Sequence, residues 1–223
     1  MKKIETLFII DRQTDLALPV VNPNAQWVID GEGIATIKFD GTPALFSNGV
    51  LYKRFNRRLK KKFARMKAKQ GENFTFKPDM MADLPKGAVP CNEAADPVTF
   101  HQPFWVPVDI NSPADQWFTE ALIGNHELID GMTYELVGPK VQDNIHGLDK
   151  HELWSHGSGK EAKDVIRDFH GIKQWLRDNN EEGLVFHHPD GRKIKIRRKD
   201  FFDFKVKHGD RKIDWRNENV IFN

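Results

Sequence analysis

The chain has 223 residues, 39% hydrophobic and 30% charged, which suits a soluble globular protein with its own core. Its single cysteine, Cys91, rules out an internal disulfide and a cysteine-based zinc site, and a reducing cytoplasm is the expected compartment. No apolar run reaches the roughly 20 residues that cross a bilayer. The start, Met1-Lys2-Lys3-Ile4-Glu5, lacks the apolar stretch and cleavage site of a signal peptide. Net charge is only +2, so the chain is not a polycation overall.

In chain order, residues 7–10, 27–30, 34–39 and 44–53 read as strands. The third, Ile34-Ala35-Thr36-Ile37-Lys38-Phe39, closes in an Asp40-Gly41 turn and leaves Lys38 at the end of an apolar run. Lysine is a nucleophile only after losing its proton, and burial or nearby cations favour the neutral amine. A surface lysine beside a turn would look the same. By composition alone about one chain in twenty of this length holds a K-x-D-G match, so its neighbours carry the weight.

From Lys53 to Lys69 stand Lys53, Arg54, Arg57, Arg58, Lys60, Lys61, Lys62, Arg65, Lys67 and Lys69, with no acidic residue among them. Leu59, Phe63 and Met66 fall on one helical face within this run, and Asn56 is a candidate cap. Uncompensated charge on that scale points to a polyanion such as a phosphate backbone, with salt-sensitive binding. Residues 71–111, rich in proline and without sustained period, read as loops and short strands. Ser112-Pro113-Ala114-Asp115 starts a helix that Gly124 stops. Residues 127–138 are strand-rich around Met132–Val137. Val165, Ile166, Phe169, Ile172, Trp175 and Leu176 mark a helical face over about 160–179, with Gly171 a weak point.

Two final strands, Gly183 to His187 and Lys193 to Phe201, flank the hairpin signal Pro189-Asp190-Gly191. Alternation puts Lys193, Lys195 and Arg197 on one face, with Ile194 and Ile196 toward a core. Glu181-Glu182 places a carboxylate just before the first of these strands. Helices and strands mix without strict β-α alternation, which predicts an α+β fold in one domain over residues 1–223.

Three other features carry less chemistry. His146, His151 and His156 recur every five residues, a spacing that suits neither a helix face nor a strand face for metal binding. Gly157-Ser158-Gly159-Lys160 fails as a phosphate-binding loop because Trp154 stands at the first glycine position and Glu161 follows the lysine. His187-His188 begins a hairpin turn, with an RNA contact as the alternative.

Taken together, five short segments resemble the ordered motifs of the covalent nucleotidyltransferases, the superfamily of ATP-dependent DNA and RNA ligases and mRNA capping enzymes. Lys38-Phe39-Asp40-Gly41 is similar to motif I, Tyr52-Lys53-Arg54 to motif Ia, and Tyr134-Glu135-Leu136-Val137-Gly138 to motif III. Glu182-Gly183-Leu184-Val185 is similar to motif IV and Lys195-Ile196-Arg197 to motif V, with Lys193 an alternative first member. The likeness spans about Trp27 to Phe201. Tyr134–Pro139 and Trp105-Val106-Pro107-Val108 most resemble RNA ligases. Motif V usually shows two lysines, and Arg197 stands for the second.

The resemblance implies an ATP-grasp-like nucleotidyltransferase domain of two twisted, mainly antiparallel sheets flanked by helices. It implies that Lys38 attacks the α-phosphorus of ATP and forms lysyl-AMP, which is passed to an RNA 5′-phosphate and then displaced by a 3′-hydroxyl. Lys193, Lys195 and Arg197 would stabilise the phosphoryl charge. Glu182 would hold Mg²⁺ through water with help from Asp40, and Mn²⁺ could substitute. Thr36 and Ile37 would meet the adenine edge beside Gly41, Glu135 would accept from a ribose hydroxyl, and Arg54 would contact ribose or the 5′-phosphate. About 22 residues follow Phe201, too few for an oligonucleotide-binding barrel. Lys53, Arg57, Arg58, Lys60, Lys61, Lys62 and Arg65 are therefore expected to hold RNA, with no obligate protein partner and no membrane. The alternatives are a minimal DNA ligase, an RNA guanylyltransferase and a non-catalytic RNA-binding module.

Overall fold

A computed structural model describes residues 4–91, 95–125, 127–179 and 181–201 of the chain. Its strands begin with β1 (Glu5–Thr6), β2 (Phe8–Ile10), β3 (Ala17–Val21), β4 (Ile34–Ile37), β5 (Thr42–Ser47) and β6 (Val50–Arg57). They continue with β7 (Val89–Pro90), β8 (Gln102–Pro107), β9 (Thr133–Val137), β10 (Glu152–Ser155), β11 (Gly183–His187) and β12 (Lys193–Arg197). The α-helices are α1 (Gln26–Ile29), α2 (Lys61–Gln70), α3 (Gln116–Gly124) and α4 (Phe169–Asp178). The architecture is mixed α+β, and no helix among the described residues is long and apolar enough to cross a membrane.

The chain forms two compact units. One comprises Gly41–Val141 and Leu148–Ser155. Its antiparallel sheet has the order β10-β9-β5-β6-β8-β7. Period-2 alternation sends Ala44, Leu51, Tyr134, Leu136 and Leu153 to the face that packs on Phe118 and Ala121 of α3. The capping serine and proline that the sequence places here start a 3-10 turn (Pro113–Asp115), where the Ser112 side chain accepts from the Ala114 N–H; α3 follows from Gln116 without a side-chain cap.

The other unit comprises Ile4–Asp40, Gln142–Gly147 and the described residues from His156 onward. Its four-stranded sheet has the order β1-β12-β11-β4, antiparallel except for the β1–β12 pair. Ala35, Leu184, Phe186, Ile194 and Ile196 share a buried core with Phe8, Trp27, Val28, Ile172 and Leu176. Each large apolar side chain there contributes about 1.5–3 kcal/mol by leaving water. Asp168 caps α4 by accepting from the Gly171 N–H at 2.7 Å. Ile172 and Leu176, four residues apart, form its buried stripe.

Several expected elements differ. Residues 27–30 are not a strand but overlap α1, which follows a 3-10 turn started by Asn22 and Pro23. Trp27 and Val28 are buried as a helical pair, a pattern too short to distinguish from a strand. The stretch 44–53 is two strands of a hairpin, turning at Asn48 and Gly49, which both have positive φ (52° and 74°). The strand expected over 34–39 ends at Ile37, and the one expected to reach Phe201 ends at Arg197 in a 3-10 turn. Asn56 is no helix cap: it lies in β6 opposite Pro103, and α2 begins at Lys61 without a side-chain cap. The helix expected over 160–179 begins only at Phe169.

Candidate active site

The strand register places Thr36, Val185 and Lys195 in one row across β4, β11 and β12. Lys38 extends this pairing past the end of β4, its N–H donating to Gly183 O at 2.9 Å, and Gly183 pairs with Arg197. Residues directly opposite in a sheet share a face. Thr36, Lys38, Lys193, Lys195 and Arg197 therefore all belong to the face opposite the core. Gly183 is required between them, because a Cβ there would lie 2.3 Å from Ile196 O.

Lys38 Nζ lies 2.8 Å from Glu182 Oε2 and donates to Phe39 O at 3.0 Å. Both side chains of the pair are largely sheltered, at 24% and 17% exposure. Burial raises the Glu182 carboxyl above its usual range, and the Asp40 charge adds to that, while Lys38 and Arg197 pull it back. Glu182 Oε2 is buried and faces the Lys38 ammonium. The Asp40 N–H donates to His146 Nε2 at 3.2 Å, and the Phe39 ring meets the same imidazole edge-on at 6.3 Å. The turn after Lys38 is thereby pinned.

The cations differ in how they are held. Arg197 grips the fully buried Asp200 through Nη2 at 2.6 Å and Nε at 3.0 Å, while its N–H donates to Asp200 Oδ2. Its side chain is thus fixed by the following turn. Arg198, just past the β12 cations, donates its N–H to Glu182 O at 2.8 Å. Burial lowers its guanidinium below the usual value, and Glu182, Glu181 and Asp40 draw it back up. The signal for Arg198 was its place one residue past Arg197, where the ladder continues into the turn. Lys193 is exposed beside His187, whose imidazole is pushed below its usual range by burial and then by the Lys193 charge.

Thr36 is buried, its hydroxyl donating to Val185 O at 3.3 Å and lying 3.0 Å from His187 Nε2. The Ile37 backbone is engaged on one side. Its N–H donates to Lys160 O at 2.8 Å, within a short antiparallel bridge between Thr36 and Glu161, and so is not left for a base edge. Gly159, in the segment that fails as a phosphate loop, packs against this strand, with room for no more than a tight Cβ contact to Ile37 O at 3.0 Å.

Gly41, Arg54 and Glu135 belong to the six-stranded unit. Glu135 is buried, pairs with Pro43 and Trp154, and crowds Gly41, where a Cβ would lie 2.8 Å from its Cγ. Arg54 pairs with Trp105 in β6–β8. In the basic run, Lys53 is ion-paired with buried Asp115, and Arg57 Nε donates to Ala82 O at 2.7 Å. Lys60 lies 3.7 Å from Asp83. Arg58, Lys61, Lys62 and Arg65 are exposed. His151 is buried between Glu120 at 2.8 Å and the Lys140 N–H, stacked on Trp117, which marks it as a satisfied structural histidine.

The residues fit Mg²⁺. That ion keeps several waters and takes one or two carboxylates, and Asp40 and Glu182 lie close enough to interact electrostatically. Among the described residues no group of three or more His, Cys, Asp and Glu gathers as a closed metal site. No protein-family model matches the chain, and no curated protein matches it.

Proposed function

We propose that this chain is an ATP-dependent RNA ligase built on an ATP-grasp-like nucleotidyltransferase domain. The observation that carries this is Lys38 held 2.8 Å from Glu182, on the sheet face that also bears Lys193, Lys195 and Arg197. Lys38 Nζ, once neutral, attacks the α-phosphorus of ATP; an N–P bond forms, the α–β phosphoanhydride breaks and pyrophosphate leaves. A 5′-phosphate oxygen of RNA then attacks the same phosphorus, breaking the N–P bond and taking the adenylate. A 3′-hydroxyl finally attacks the RNA 5′-phosphorus, loses its proton, and expels AMP as the phosphodiester forms.

Such transfers are mostly positioning and charge stabilisation. Lys195 and Lys193 supply cations to the phosphates, and Arg197, anchored by Asp200, supplies one that does not wander. Arg198 is an added candidate beside Glu182 and Asp40. Mg²⁺ would neutralise phosphate charge, with Glu182 and Asp40 holding its water shell. Glu182 pairs with Lys38 at 2.8 Å, and holding a metal's water shell would draw that carboxylate away from the amine. Glu135 and Arg54 are assigned to ribose and the 5′-phosphate by the motif resemblance alone.

Purified protein with ATP and Mg²⁺ should seal RNA bearing 5′-phosphate and 3′-hydroxyl ends better than the matching nicked DNA. Sealing of DNA alone would make it a DNA ligase. Covalent label from GTP but not from ATP would make it a guanylyltransferase.

A further inference from the structure

Beyond the transfer site, the six-stranded unit carries an exposed aromatic cluster beside its basic helix. Helix α2 ends at Gln70, and the chain runs through a 3-10 turn (Gly71–Asn73) into Phe74 and Phe76. Phe76 is 37% exposed and lies flat on Phe100, with centroids 4.5 Å apart and planes 13° from parallel. Phe74 meets Phe100 from another side at 6.0 Å. The ammonium of Lys67, on α2, sits 5.4 Å over the Phe100 ring.

Phe100 reaches this position through an unusual backbone. Its φ is +60°, a left-handed conformation that a bulky residue adopts only when its surroundings hold it there. Asp96 does the holding: its carbonyl accepts the Phe100 N–H at 2.8 Å, and its carboxylate accepts from Val98 and Thr99. Such outliers concentrate at binding and catalytic sites. No α2 side chain is buried, so Lys61, Lys62, Arg65 and Lys69 present their charge to solvent on the helix whose Lys67 reaches this cluster.

We infer that Phe76, stacked on Phe100 and flanked by the cations of α2, is a platform on which an unpaired base of single-stranded RNA stacks while α2 tracks its phosphates. Aromatic faces with adjacent cations are how proteins hold single strands without reading sequence. A purely apolar protein partner would leave the α2 charge unmatched; a polyanion with π-faced bases satisfies both features. The inference deepens the RNA-ligase proposal, on which it depends for the identity of the strand.

The test is fluorescence anisotropy of a labelled single-stranded oligouridylate with the full chain, comparing wild type, Phe76→Leu and Phe76→Trp. An abasic oligomer of equal length and a blunt RNA duplex serve as controls. Phe76→Leu should weaken binding of the single strand roughly tenfold, in the range of one base–aromatic stack. Phe76→Trp should keep it, and binding of the abasic and duplex RNAs should be the same in all three proteins. Unchanged single-strand affinity in Phe76→Leu, or an equal loss on the abasic oligomer, overturns the platform. Should wild type instead sediment as a dimer that Phe76→Leu splits, with RNA affinity unchanged, a second copy covers the patch and the platform falls. Label transfer from ATP to the same wild-type preparation separates the two ideas. Label without stacking removes the platform alone; stacking without label removes the ligase and leaves the platform standing.

Discussion

Burial pushes Glu182 and His187 in opposite directions, because in each case it disfavours the charged form. For Glu182 the folded state holds its proton more tightly than the unfolded chain. Its contribution to stability is thus present below the ordinary carboxylate range and is lost as pH rises through the raised folded value. His187 runs the other way: its contribution is complete above the ordinary imidazole value of 6.5 and is lost as pH falls through the lowered folded value. Thermal melts across pH should therefore show Glu182→Gln gaining on wild type as pH rises out of the carboxylate range. His187→Gln should lose part of the wild-type decline below pH 6.5. Parallel pH profiles for wild type and both variants would contradict these assignments. Lys38 and Glu182 were legible as candidates because both stand at strand ends with short, ordered motifs around them. The occupied Ile37 N–H was not legible, since it depends on a partner far along the chain, at Lys160, and Arg198 was signalled only by its place after Arg197.

At the level of elements, α4 depends on Asp168, whose carboxylate accepts the Gly171 N–H. Asp168→Ala should cost about 1 kcal/mol and lower the melting temperature by about 2–4 °C; an unchanged melt would show the cap to be idle. Gly171, a weak point by propensity, is a contact instead: a Cβ there would lie 2.5 Å from that of Ile166. Gly183→Ala should damage the β11–β12 pairing far more than a typical surface change, because Ile196 O occupies the needed space. The basic segment divides between β6 and α2, with Lys53 and Arg57 tied to the fold and Lys61, Lys62, Arg65 and Lys69 of α2 exposed. Replacing Lys60, Lys61, Lys62 and Arg65 with glutamine should weaken RNA end joining and flatten its salt dependence, while self-adenylylation, which needs no RNA, continues. Loss of both activities together would assign the segment to the fold or to the ATP site. Alternation made β12 legible: Ile194 and Ile196 are buried while Lys193 is exposed. The same rule misled at Trp27-Val28, where a four-residue helix buries two adjacent side chains, and at 44–53, where Asn48-Gly49 turns the chain back.

Across the whole molecule, the mixed composition of elements made the α+β class legible, and the two larger sheets are antiparallel except at β1–β12. The division into two units was not legible, because residues 142–147 and 156–201 return to the unit begun by residues 4–40, and no local pattern records such a return. What joins sequence and chemistry at this scale is the sheet register that sets Arg197 across Gly183 from Lys38 and Glu182, with Lys195 and then Lys193 farther along the same face of β12. The most direct test is incubation of the full chain with α-labelled ATP and Mg²⁺, followed by denaturation and mapping of any covalent label. Wild type should carry one AMP through an acid-labile N–P bond at Lys38, release pyrophosphate, and lose the label entirely in Lys38→Ala. No label in wild type, or equal label in Lys38→Ala, would contradict a covalent nucleotidyl transfer at this lysine.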